Sequence, residues 1–135
     1  MGYREDVVVV VSKNGWENLI NAISPNSDLL DQKKAQLVFN LIKQTDRHIL
    51  CEKDGQHLMM WQSIKTYSAD CTALFYVLKQ MNENDYYVHC IGEDGAEELF
   101  GLFDNNVFCV SVYKQFCFDE NFDDFNFKNE RVNNE

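Results

Sequence analysis

Four carboxylates, Glu93, Asp94, Glu97 and Glu98, crowd around the glycines of Gly92-Glu93-Asp94-Gly95. Oxygen donors in this number could hold Ca²⁺ or Mg²⁺, hard cations that take carboxylate ligands. The spacing does not fit a calcium-binding helix-loop-helix, whose loop needs acids or amides at alternate early positions and a glutamate at its end. Two readings need no metal: a solvated acidic turn, or an acidic patch that meets a partner. Gly92-x-x-Gly95 is not a phosphate loop, since the Gly-Lys-Ser/Thr ending is missing and its two acids would repel phosphate. His48, His57 and His89 fall in expected strands. His48 and His57 sit on two arms of one expected hairpin, where a histidine pair with a cysteine could form a transition-metal site or a nucleophile with its base. No nucleophile elbow, His-Glu-x-x-His or His-x-Glu with Cys-x-x-Cys accompanies them. The sequence therefore assigns no catalytic residue, metal or cofactor.

The cysteines, Cys51, Cys71, Cys90, Cys109 and Cys117, are five in number and contain no Cys-x-x-Cys pair. Paired spacing of that kind is what a tetrahedral zinc site uses. Each cysteine lies in an apolar run, as in Ile49-Leu50-Cys51, so the expectation is small buried hydrophobes in a reducing cytoplasm. The stretch Met1 to Val11 is too charged at Arg4, Glu5 and Asp6 for a signal peptide, and no apolar run reaches the ~18 residues of a membrane span.

The acids carry a second message. The chain has 135 residues and a formal net charge of −10. Residues 1–79 hold nine acids and nine bases, whereas residues 80–135 hold thirteen acids against three bases. The net charge therefore belongs wholly to the C-terminal part, where it marks an interaction surface or a solubilising tail. A chain that neutralises nucleic-acid phosphates needs a surplus of Lys and Arg, so direct nucleic-acid binding is not expected. Tyr67, Tyr76, Tyr86, Tyr87 and the other aromatics could stack bases only beside a basic groove, and core packing accounts for most of them.

The elements that must position these groups follow from periodicity. Five consecutive valines, Val7 to Val11, predict a central strand buried on both faces. Ser12 and Asn14 are cap candidates for a helix with Trp16, Leu19, Ile20 and Ile23 on one side, ended by Pro25. Ser27 is expected to open a second helix carrying Leu30, Leu37, Val38, Leu41 and Ile42. Asp54-Gly55 joins the runs 47–53 and 56–62 as a type I′ hairpin. Ser68 precedes a third helix with Cys71, Leu74, Phe75 and Leu78 on its apolar face. Strands are expected at 86–91, 96–103 and 107–118, the last as one long strand. Residues 119–135 form an acidic tail in which Phe122, Phe125 and Phe127 dock either on a partner or on their own domain. The fold class is α+β: one domain over 1–118, with about five strands in an antiparallel or mixed sheet and helices on one face. A ferredoxin-like arrangement is the nearest named architecture.

The opening Met1-Gly2-Tyr3-Arg4-Glu5-Asp6-Val7 resembles that of a group of small uncharacterised tailed-bacteriophage proteins. Met60-Trp61-Gln62-Ser63 and Tyr86-Tyr87-Val88-His89-Cys90-Ile91-Gly92-Glu93-Asp94 stand where those proteins carry a mid-chain aromatic pair and a late strand ending Ile-Gly-Glu-acid. Gln62 departs from the aromatic pair, and the Phe-containing C-terminal portion is longer. The resemblance implies phage or prophage origin and an accessory role in the bacterial cytoplasm, and brings no reaction or ligand with it. The expected function is binding of a host protein with a basic surface, to inhibit a nucleic-acid-binding host or defence complex. The expected surface comprises Glu93, Asp94, Glu97, Glu98, Asp104, Asp119, Glu120, Asp123 and Asp124. Alternatives are a self-associating structural module, which would be a homo-oligomer, and a small enzyme using His48, His57 and a cysteine.

Overall fold

The computed structural model describes residues 3–43 and 48–103, together with the backbone of short strands at 110–112, 116–118 and 126–127. Strand β1 (Glu5–Val11) is followed by helices α1 (Lys13–Ala22) and α2 (Gln32–Lys43), then by the hairpin β2 (His48–Lys53) and β3 (Gln56–Ile64). Helix α3 (Ala69–Lys79) and a 3₁₀ turn at Glu83–Asp85 lead into β4 (Tyr86–Gly92) and β5 (Glu97–Phe100). The strands lie in the order β5-β4-β1-β3-β2, every neighbour antiparallel. Within it, β4-β1-β3-β2 is the order two interleaved βαβ units produce, the ferredoxin-like arrangement with an extra helix in the first crossover.

The valine run occupies the middle of this sheet because β-branched side chains suit a pleated surface covered on both sides. Val7, Val9 and Val11 pack with Leu19, Val38 and Leu74 from the three helices, together with Met59, Trp61 and Val88. All three helices therefore share one face. The opposite face is apolar and buried too, with Val8, Val10, Cys51, Leu58, Met60 and Ile91 almost wholly covered. Trp61 ties the layers together: its indole N–H donates to the Leu41 carbonyl at 3.0 Å, satisfying one of the last-turn carbonyls of α2.

Several boundaries differ from expectation. Of the two expected cap candidates for α1, Ser12 takes the position, accepting from the Gly15 amide at 2.9 Å. Ser27 does not open α2. Its hydroxyl accepts from the Leu29 amide in a local turn, and Asp31 caps the helix by accepting from the Lys34 amide at 2.8 Å. Serine and aspartate compete for the same job, and aspartate stands directly before the helical period. The turn at Asp54-Gly55 has φ of 55° and 81°, both positive as type I′ requires. Strand β5 stops at Phe100, short of the expected 103, because Gly101 takes φ +87° and turns the chain away.

The expected long strand 107–118 is instead two short ones, β6 (Val110–Val112) and β7 (Phe116–Phe118), paired antiparallel with Val110 opposite Phe118. Alternation of period two continues through such a reversal, and no Gly, Pro or Asn/Asp pair marks it. A further strand, β8 (Asn126–Phe127), pairs with Cys51 and Glu52 on the outer edge of β2. It comes from the segment expected as a tail.

Candidate functional site

The acidic turn is built by a three-residue hairpin loop. The Gly92 amide donates to the Ala96 carbonyl at 2.7 Å and the Gly95 amide to the Gly92 carbonyl at 2.8 Å, closing a β-turn. Gly95 follows at φ +86°, the left-handed position such loops reserve for glycine. Glu93 and Asp94 are thereby held at the tip, and Glu97 and Glu98 on the returning strand β5; all four are exposed. The remaining expected surface residues, Asp104, Asp119, Glu120, Asp123 and Asp124, lie outside the described residues.

Residues near the N-terminus hold this turn, a link the sequence reading missed. The Tyr3 hydroxyl donates to Asp94 Oδ1. That bond pushes the Tyr3 phenol up to about 12, with burial and the Asp94 charge adding to it. The same bond, helped by the Ala96 amide, holds the Asp94 carboxyl below its ordinary value. The Arg4 carbonyl accepts from the Glu93 amide at 3.0 Å, and the Arg4 amide donates to Glu93 Oε1 at 3.2 Å. The Arg4 guanidinium reaches the Ser63 carbonyl at 3.0 Å, while the Ser63 amide donates to Asp6 at 2.9 Å. Ser63 has φ +57° and sits where the β1–β3 register slips by one residue. This bulge points β3 backbone groups at Arg4 and Asp6 and so braces the base of the acidic turn.

Glu97 is engaged from below. His89 Nε2 lies 2.8 Å from Glu97 Oε1, and Nδ1 lies 2.9 Å from the Tyr87 hydroxyl. A neutral imidazole can donate at one nitrogen and accept at the other, so both contacts are satisfied at once. His89 is buried on the sheet face away from the helices, while Glu97 is half exposed. Lys79 sits on the other side of the edge, its ammonium 4.6 Å from the centre of the Phe100 ring. Beyond the acids, Leu99 and Leu102 are 55% and 57% exposed. Glu97 and Leu99 share the sheet face of His89, and Glu98 turns to the helix side.

The histidine and cysteine candidates are not brought together. His48 is paired with Trp61, four residues along β3 from His57, a separation of roughly 13 Å. His57 faces the helices and stacks on Trp16 with ring centroids 3.7 Å apart and planes 9° from parallel. His89 is on the opposite face of the sheet. Cys51, Cys71 and Cys90 are buried free thiols. Burial pushes Cys51 and Cys90 up to about 12 and Cys71 further, with Glu52 adding at Cys51 and Glu5 and Glu98 at Cys90. Thiols held protonated in this way are poor nucleophiles. Among the described residues, no three His, Cys, Asp or Glu side chains converge as a metal ion requires. No helix among them is long and apolar enough to cross a membrane.

Compared with known proteins, the chain matches no family model, and no curated protein or solved structure is significantly similar to it.

Proposed function

We propose that the chain is a phage-type accessory protein that acts without catalysis in the bacterial cytoplasm. It binds a host protein by presenting an acidic surface to a basic one, and so obstructs a nucleic-acid-binding host or defence complex. The observation that carries this reading is the acidic edge: Glu93, Asp94, Glu97 and Glu98 exposed around one strand, with Leu99 and Leu102 beside them. Charge arranged in this way speeds encounter and selects partners, and the leucines supply the apolar contact that charge alone does not.

The test is capture from bacterial lysate at low and high salt, with the full chain and with a Glu93→Lys/Glu98→Lys variant. The reading expects basic, nucleic-acid-binding proteins that are retained at low salt, displaced by added duplex DNA and lost with the variant. Capture that ignores both salt and charge reversal would sink it.

A further inference from the structure

Strand β5 is the outermost strand on its side of the sheet. In an antiparallel pair, successive residues alternate between spending their main-chain groups on the neighbour and pointing them away. The hairpin fixes which residues do which. Gly92 bonds to Ala96, so the bonded pairs run Gly92–Ala96, Cys90–Glu98 and Val88–Phe100. Glu98 and Phe100 are thereby committed to β4. The N–H and C=O groups of Glu97 and Leu99 point outward and meet no other backbone partner among the described residues. Leu99 also projects an exposed side chain, and Glu97 and Glu98 flank the same edge.

We propose that β5 accepts an extended, basic segment of the partner as an added antiparallel strand. The inference rests on the acidic-surface reading and names the contact through which it would work. Main-chain bonds from Glu97 and Leu99 would supply the ladder, which is sequence-tolerant, and side chains at alternate positions the choice. The charges decide the occupant. A second copy would bring another Glu97 and Glu98 against the first pair, and like charges across strands are destabilising. A segment bearing Lys or Arg at positions facing Glu97 and Glu98, with an apolar residue against Leu99, is complementary on every count. The acids that turn away a second copy of the edge are the ones that recruit a basic strand.

The probe is a peptide of about seven residues, a usual strand length, with the central order Val-Lys-Lys so that valine faces Leu99 and the two lysines face Glu98 and Glu97. The control peptide replaces lysine with glutamate. Binding is followed by fluorescence anisotropy at low salt, and amide hydrogen exchange is measured residue by residue on the unaltered full chain. The lysine peptide should bind, the glutamate peptide should not, and exchange at the Glu97 and Leu99 amides should slow by about tenfold or more on binding. Leu99→Pro removes one outward N–H while leaving the β4 ladder in place, and should weaken binding by about tenfold. A bound peptide that leaves both amides exchanging at the free rate overturns strand addition without needing any variant. Equal binding by Leu99→Pro together with loss in Glu98→Lys would overturn strand addition and leave the acidic-surface reading standing. Binding indifferent to Glu98→Lys as well would remove both.

Discussion

Gly95 and Gly101 offer a controlled pair for testing how the edge strand is terminated. Their φ values are +86° and +87°, so an alanine at either position meets the same backbone penalty. That penalty is ~1–2 kcal/mol for an L-residue in the left-handed region, offset in part by a less flexible unfolded chain. The surroundings differ. A Cβ at Gly95 meets nothing within 4 Å. A Cβ at Gly101 would collide with the Tyr86 carbonyl oxygen, and would lie 2.7 Å from Tyr86 Cδ2 and 2.8 Å from its carbonyl carbon. Two of those three atoms are backbone in β4 and cannot rotate aside, so relief requires moving the strand. Overpacking of this kind costs about 1–3 kcal/mol. Gly95→Ala should therefore destabilise by about 1 kcal/mol and Gly101→Ala by about 2–4 kcal/mol. Urea unfolding at constant slope separates the two, and the extra loss should lower Tm by roughly 4 °C per kcal/mol. Values for the two variants within about 0.5 kcal/mol of each other would refute the claim that close approach, rather than φ, selects glycine at 101.

Trp61→Phe keeps the aromatic ring but leaves the Leu41 carbonyl buried without its donor, and should cost about 1–3 kcal/mol in urea unfolding. Tyr3→Phe should raise the Asp94 carboxyl towards its ordinary value, read by NMR titration, since the Tyr3 bond is the main cause of its depression. In the native chain that bond stabilises above the unfolded carboxylate value and is lost as pH falls below it; it is lost at the alkaline end as the phenol ionises near pH 12. Cys51 and Cys90 should resist alkylation at pH 8 in the folded chain, because their thiols stay protonated up to about pH 12. Unfolded thiols ionise from about pH 8.5, so the unfolded state binds fewer protons over that window and stability falls with rising pH, by at most ~1.4 kcal/mol per pH unit per thiol. Urea unfolding at pH 7.5 and pH 10 should show the fall, and Cys51→Ala/Cys90→Ala should reduce it, Cys71 supplying what remains.

The sheet was legible where a single residue type dominates the local physics. A β-branched run marks a strand covered on both faces, and Asp54-Gly55 marks a turn that few other pairs can make. Helix starts were less legible because Ser27 and Asp31 are both good caps four residues apart, and each accepts a local amide bond. The reversal between β6 and β7 left no signal in the alternation. Of the site, the acidic loop was visible as composition. Its bracing by Tyr3, Arg4 and Asp6 was not, since contacts across 57 to 91 residues of chain have no local signature. The exposure of Leu99 was equally hidden, because alternation gives the face a residue is on but not whether that face is covered at the sheet's rim.

The two rims of the sheet are unlike. On the β2 side, Asn126 and Phe127 already occupy part of the edge, while β5 on the far side meets no further strand among the described residues. Edge-to-edge stacking of copies would have to join β5 of one to the β2 rim of the next, and β8 already holds that rim at Cys51 and Glu52. Repeating that contact would first require displacing β8, so the open β5 edge need not lead to fibres.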